Sequence, residues 1–163
     1  MPISSRKVTR MEFPNRKRNR IPDFDYSEPR VYFVTVCTEN RKPLLSEIVG
    51  DDARIVPKPY GCIAEKYIRN VPKIEKYVIM PDHIHMLIRL DGGTMQVSSP
   101  AGRKDKSISS IVRSIKTLTT KEIGEPIWQR SYYDHVIRNR QDYDEVWQYI
   151  ENNPRKWVMM NQR

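Results

Sequence analysis

Tyr77-Val78-Ile79-Met80-Pro81-Asp82-His83-Ile84-His85-Met86-Leu87-Ile88-Arg89-Leu90 is the stretch from which the fold is read. Past Pro81-Asp82 the residues alternate, so Ile84, Met86, Ile88 and Leu90 share one face of a strand while His83, His85, Leu87 and Arg89 share the other. The chain has 3 histidines, and this run places two of them at i and i+2. On a strand that spacing sets side chains on one face with backbones about 7 Å apart, close enough for the ring nitrogens to converge on one ion. Two readings stay open on the residues alone: a paired-imidazole metal site, or an ordinary histidine-bearing face of sheet.

The rest of the chain bounds what such a strand can belong to. With 163 residues, 38% of them hydrophobic, one domain with its own core is expected. Lys and Arg number 29 against 20 Asp and Glu, a formal charge of +9 that favours a polyanionic partner, nucleic acid before membrane. No apolar run reaches the length of a spanning helix, and the first residues, Met1-Pro2-Ile3-Ser4-Ser5-Arg6-Lys7, lack the apolar segment of a secretion signal. A cytoplasmic protein with no membrane partner is the expectation. The 2 cysteines, Cys37 and Cys62, form neither a disulfide framework nor a thiolate cluster and read as buried or neutral thiols.

Residues 1–29 hold seven basic side chains, among them Arg6, Arg10 and Arg16, and four prolines, with no sustained periodicity. They read as a basic N-terminal arm, either a solvated tail or a segment lying on phosphates, ahead of a single domain over 30–163. Residues 31–38, β-branched and aromatic, read as a first strand. Residues 44–56 carry no clear period. After Pro57-Lys58-Pro59 a short helix presents Ile63, Ala64, Tyr67 and Ile68 on one side and stops before Pro72. Residues 74–80 then pair as a hairpin with the histidine strand. Residues 91–106, rich in glycine, serine and basic side chains, read as a mobile loop. A second helix follows, with Ser107 as its N-cap, Gly124 as its stop, and Ile108, Ile111, Val112, Ile115 and Leu118 as its apolar stripe. Residues 128–137 read as the fourth strand. Residues 142–153 return to a helical period, with Tyr143, Val146, Trp147 and Ile150 inward and Pro154 as the terminator.

That order predicts an α+β, ferredoxin-like split βαβ fold: a four-stranded antiparallel sheet, two helices on one face, and a further C-terminal helix. The isoleucines and methionine of the central strand must face the helices, which turns His83 and His85 toward the open side. On the last helix Tyr149 and Asn153 lie one turn apart, at the flank of the apolar stripe. An aromatic in such a place is most often packing.

Three linked segments carry a resemblance beyond this. Pro81-Asp82-His83-Ile84-His85-Met86, then Ile127-Trp128-Gln129-Arg130-Ser131-Tyr132-Tyr133-Asp134-His135-Val136-Ile137-Arg138-Asn139, then residues 142–154 with Tyr149 and Asn153, resemble the single-tyrosine HUH (His-hydrophobic-His) transposases of insertion sequences. The nearest likeness is to the REP-associated tyrosine transposases, which act at bacterial palindromic repeats. It runs from about residue 31 to residue 157. The resemblance implies that His83, His85 and Asn153 ligate Mg²⁺ or Mn²⁺ and that Tyr149 is the nucleophile. Related members carry glutamine where Asn153 stands, one methylene longer. His135 acquires no catalytic role and reads as a hydrogen-bonded strand histidine.

The implied chemistry is coherent. A phenol attacks a phosphodiester poorly unless the phosphate is polarised, which a divalent cation does. Attack yields a 5′-phosphotyrosine and a free 3′-hydroxyl, so the strand can be rejoined without a nucleotide cofactor. The expected partner is single-stranded DNA beside a hairpin or palindromic repeat, which implies a bacterial, nucleoid-associated protein. Arg89, Arg103, Lys104, Arg113 and Lys116 are candidates to follow its phosphates, and Trp128, Tyr132 and Tyr133 to stack its bases. Two other functions are kept beside this one: a domesticated, non-catalytic single-stranded DNA or RNA binding protein on the same fold, and a metal-dependent phosphoesterase that uses water. The oligomeric state is open between a complete monomer and a homodimer whose tyrosine helix reaches the partner's histidines.

Overall fold

A computed structural model describes residues 30–90 and 107–161. The basic arm, the loop over 91–106 and with it Arg103 and Lys104 lie outside the described residues. The elements run β1 (Val31–Cys37), β2 (Ser46–Val49), β3 (Arg54–Pro57), α1 (Pro59–Arg69), β4 (Ile74–Ile79), β5 (His83–Arg89), α2 (Ile108–Ile123), β6 (Tyr133–Val136) and α3 (Arg140–Asn161). The main sheet has the order β4-β5-β1-β6, all antiparallel, which is the expected split βαβ sheet.

Alternation along the two central strands makes the sheet two-sided. Tyr32, Val34 and Val36 of β1 and Ile84, Met86 and Ile88 of β5 point to one face, where Ala64 and Ile68 of α1 and Ile111, Val112 and Ile115 of α2 close the main core. Each such aliphatic side chain, fully removed from water, contributes about 1.5–3 kcal/mol. Ser107 caps α2 by accepting from the Ser110 amide, and Gly124 ends it in the left-handed region at φ 88°. Leu118 falls outside the stripe assigned to it and is exposed; Thr119, buried and bonded to the Ile115 carbonyl, takes that place. Cys62, on the outer side of α1, is exposed rather than buried.

The opposite face is not open, as the sequence suggests. The long helix α3 lies on it, and Val146 and Ile150 pack with Val31, Val78, Met80 and Leu87 into a second core. Polar latches flank this contact. Lys76 pairs with Glu151 at 3.0 Å and its ammonium sits 4.0 Å above the Trp147 ring, while Tyr143 donates to Glu75 at 2.9 Å. Pro154 does not end α3, which continues to Asn161. A mid-helix proline forfeits one backbone bond, and docking of Trp157 into the second core offsets that loss.

The hairpin β2/β3 occupies the stretch without a readable period and straps the turn before the histidines. The Leu45 amide donates to the Pro81 carbonyl at 3.0 Å, and the Leu45 carbonyl accepts from the Lys58 amide at 2.9 Å. Gly61 of α1 passes so close that a Cβ there would stand 2.0 Å from the Leu45 oxygen. Regular pairing in the fourth strand is limited to Tyr133–Val136. Trp128 makes only an isolated bridge to Thr38, and the Lys116 ammonium holds the Gln129 and Ser131 carbonyls at 2.7 and 2.8 Å.

Candidate active site

The two histidines are built into the sheet from both sides. Register sets His85 opposite Thr35 and His83 opposite Cys37. Thr38 takes hold of the turn just before them, its amide and hydroxyl both donating to the Asp82 carbonyl at 2.9 and 3.0 Å. Each ring is then anchored at Nδ1: His83 to the Asp82 carboxylate at 2.5 Å, His85 to the Thr35 hydroxyl at 2.8 Å. Asp82 is itself ion-paired with Arg41 at 3.1 Å, and Arg41 also donates to the Cys37 sulfur at 2.7 Å. With both outer nitrogens occupied, the two Nε2 atoms turn toward each other and meet at 3.0 Å.

Burial decides the charge of this pair. His83 and His85 are 6% and 5% exposed. Burial pushes the His83 ring below its usual range, against the opposing pull of the Asp82 carboxylate. His85 is lowered to about 3, first by burial and then by the neighbouring His83 and Arg41 charges. Both rings are therefore neutral at physiological pH and have nitrogen lone pairs to offer. Burial likewise raises the Cys37 thiol, although Arg41 works the other way, so its sulfur stays protonated.

The last helix brings the remaining candidates to the same place within one chain. Tyr149, 40% exposed, stands edge-on to His85 with ring centroids 5.4 Å apart and to Phe33 at 5.8 Å. One turn on, Asn153 is buried and close enough to His83 to act on its ring. A further turn brings Trp157 to 6.1 Å from the His83 ring and the Lys156 ammonium to 4.9 Å from the Tyr149 ring. Among the described residues no group of three or more His, Cys, Asp or Glu is arranged to hold a metal, so the donors gathered here are two imidazoles and an amide. They suit a divalent cation: two convergent, neutral nitrogens, each held by a second partner, with a carboxamide alongside.

The other sequence candidates scatter. Tyr132 is a correction: it points into the main core, with its hydroxyl 2.8 Å from that of Ser109, and has no face free for a base. Its neighbour Tyr133, 52% exposed, points to the histidine side. Trp128 packs against the main core with its Nε1 buried and unpaired among the described residues. Lys116 is committed to the 129–131 carbonyls, and Arg113 lies exposed on α2, across the sheet from the histidines. Arg89 is on the histidine side but ion-paired with Glu75, at the other end of β5. His135 is also on that side and bonds to Asp142 at 2.9 Å. Sequence reasoning missed Thr35, Arg41 and Lys156. Only Asp82, adjacent to His83, carried a local signal; Thr35 is visible only through strand register.

Residues 28–153 match the family described as transposase, IS200-like. The chain belongs to that family. A REP-associated tyrosine transposase of Escherichia coli strain K12 is 35% identical over 140 residues, covering 82% of this chain and 72% of that protein. A Haemophilus influenzae protein without an assigned function is 28% identical over 165 residues, covering 88% of this chain and 90% of its own length. Among solved structures, a REP-associated tyrosine transposase bound to a REP hairpin superposes with a TM-score of 0.53 at 29% identity, over 79% of this chain and 68% of that one. This transposase is thus similar to the tyrosine enzymes in sequence and in fold. Among its described residues no helix is long and apolar enough to cross a membrane.

Proposed function

We propose that this transposase cuts and rejoins single-stranded DNA through a 5′-phosphotyrosine on Tyr149, with His83, His85 and Asn153 holding a divalent cation. The observation that carries the proposal is the approach of Tyr149 to His85, 5.4 Å between centroids, beside two Nε2 atoms 3.0 Å apart. Mg²⁺ or Mn²⁺, when bound, supplies the positive charge that polarises the scissile phosphate. The protein supplies position. Asp82 and Thr35 aim the imidazoles, and α3 holds the part-exposed Tyr149 ring against His85. The phenolic oxygen forms a bond to phosphorus, the bond from phosphorus to the 3′-oxygen breaks, and the phenolic proton is replaced on the departing 3′-oxygen by way of solvent. A 3′-hydroxyl attacking the phosphotyrosine reverses these steps and joins a new strand.

A hairpin or palindromic repeat beside the cut is the substrate this reading favours, supported by the REP hairpin in the related structure and by the charge of +9. Tyr133 is the exposed aromatic best disposed to stack a base. Because Tyr149 already packs against His85 of its own chain, the chemistry requires no exchange of helices in a homodimer.

The test is incubation of labelled single-stranded hairpin DNA with the protein and Mg²⁺ or Mn²⁺, followed by denaturing electrophoresis. A covalent protein–DNA adduct is expected, absent in Tyr149→Phe and sharply reduced in His83→Ala. Cleavage without an adduct would mean water is the nucleophile, and binding without cleavage would mean a domesticated DNA-binding protein.

A further inference from the structure

We propose that Thr35 sets the tautomer of His85 and reverses the direction of their hydrogen bond when a cation enters between the imidazoles. The inference rests on the cation site proposed above and adds to it what the Thr35 hydroxyl does when the ion arrives.

The polarity of the bonds is fixed from one end. Asp82 offers only carboxylate oxygens, one to Arg41 at 3.1 Å and the other to His83 Nδ1 at 2.5 Å, so the hydrogen of that bond sits on His83 Nδ1. A neutral imidazole has one N–H, which leaves a lone pair on His83 Nε2. His85 Nε2, 3.0 Å away, must then be the donor. Its Nδ1 is in turn bare and accepts from the Thr35 hydroxyl at 2.8 Å. In the free protein the chain of donation therefore runs from Thr35 through His85 and His83 to Asp82, and the site is closed on itself.

A cation takes only lone pairs. His83 presents one at Nε2 as it stands, but His85 does not. To ligate, His85 must release the hydrogen from Nε2 to water and take one from water at Nδ1; charge and electron count are unchanged. The new Nδ1–H faces Thr35 Oγ1, and the hydroxyl turns from donor to acceptor. A carboxylate or carbonyl at this position would accept only and hold His85 ready for the ion; an amide N–H would donate only and hold it closed. A hydroxyl serves both states without moving its oxygen. Uptake of the cation thus replaces one buried hydrogen bond and reverses another, so Thr35 is a positioning residue for the ion rather than a catalytic one.

The experiment uses the full chain labelled with ¹⁵N, in which long-range ¹H–¹⁵N correlation spectra report which ring nitrogen carries the hydrogen. The expected result is His85 protonated at Nε2 in the free protein and at Nδ1 in saturating Mg²⁺, with His83 protonated at Nδ1 in both. In parallel, Mn²⁺ affinity is measured by electron paramagnetic resonance. Thr35→Val is expected to weaken it by about 10- to 100-fold, while Thr35→Ser, which keeps the hydroxyl, stays within about threefold of wild type. A hydrogen on His85 Nδ1 in the free protein, a ring that shifts with Mg²⁺ while keeping its hydrogen on Nε2, or a Thr35→Val variant with undiminished Mn²⁺ affinity would each overturn the proposal. Rings unmoved by Mg²⁺, together with no Mn²⁺ binding in wild type, would overturn the cation site itself and the reversal with it.

Discussion

Ile150 and Ile68 are both 1% exposed and lie on opposite faces of the sheet, which makes them a matched pair for asking what α3 does. Ile150 belongs to the second core, under α3, and Ile68 to the main core, under α1. Replacing either by alanine removes three buried carbons, worth about 2.4 kcal/mol at roughly 0.8 kcal/mol each, and the residual cavity brings the cost to about 3 kcal/mol. By urea unfolding, Ile150→Ala and Ile68→Ala should therefore be destabilised alike. Function should separate them. The loss at Ile150 falls on the contact that holds Tyr149 against His85, and a misplacement of about 1 Å can cost about 100-fold in rate. The rate of covalent adduct formation, measured where both variants are fully folded, should fall by about 10- to 100-fold in Ile150→Ala and by less than about threefold in Ile68→Ala. Equal losses in the two variants would refute the claim that docking of α3, rather than global stability, presents the nucleophile.

Gly61→Ala tests the strap on the histidine turn. Helix propensity alone favours the change by about 1 kcal/mol, but the new Cβ would stand 2.0 Å from the Leu45 carbonyl oxygen. Overpacking of that kind should lower stability by about 1–3 kcal/mol, read as a fall in Tm; an unchanged or higher Tm would show that β2/β3 yields freely. The buried histidines make a pH prediction. In the unfolded chain a histidine titrates near pH 6.5, whereas in the folded protein His85 is lowered to about 3. Below pH 6.5 the unfolded state takes up a proton that the folded state refuses, so stability is complete above that pH and falls on acidification toward 3. From His85 alone the loss between pH 8 and pH 5.5 is about 1.4 kcal/mol, and His83, also lowered, adds to it. Urea midpoints across that range should show the slope, reduced in His85→Gln; a slope unchanged in that variant would contradict the assignment. The same neutrality predicts that Mn²⁺ binding persists at pH 5.5, where an exposed histidine pair would have lost most of its affinity.

The order of the main strands and helices was readable because their apolar residues keep strict periods, of two in β5 and near 3.6 in α2. The face carrying His83 and His85 followed from the same alternation. What escaped had physical reasons. β2 and β3 are four residues each and mostly half-buried or exposed, so no period develops. Pro154 signals a stop locally, yet tertiary contacts of Trp157 carry α3 past it. Tyr132 and Tyr133 are alike in composition and opposite in fate, because Tyr132, just ahead of β6, turns into the main core while Tyr133, the first residue of β6, faces the other side of the sheet. Lys116 looks like any basic residue of a polar helix face; only the geometry of the 129–131 loop reveals it as a structural donor. Thr35 gains its place from a residue fifty positions away, a relation that no local pattern contains.

The seating of Tyr149 beside its own chain's histidines also sets a limit on capacity. Under the proposed chemistry one molecule owns one covalent berth, and while a severed 5′ end occupies it no second strand can be opened there. Moving a segment with two boundaries must then proceed either by turns on one molecule or by recruiting a second, each cutting at its own boundary. The ratio of adducts to chains at saturation, one rather than one half, would be the signature of berths that fill independently.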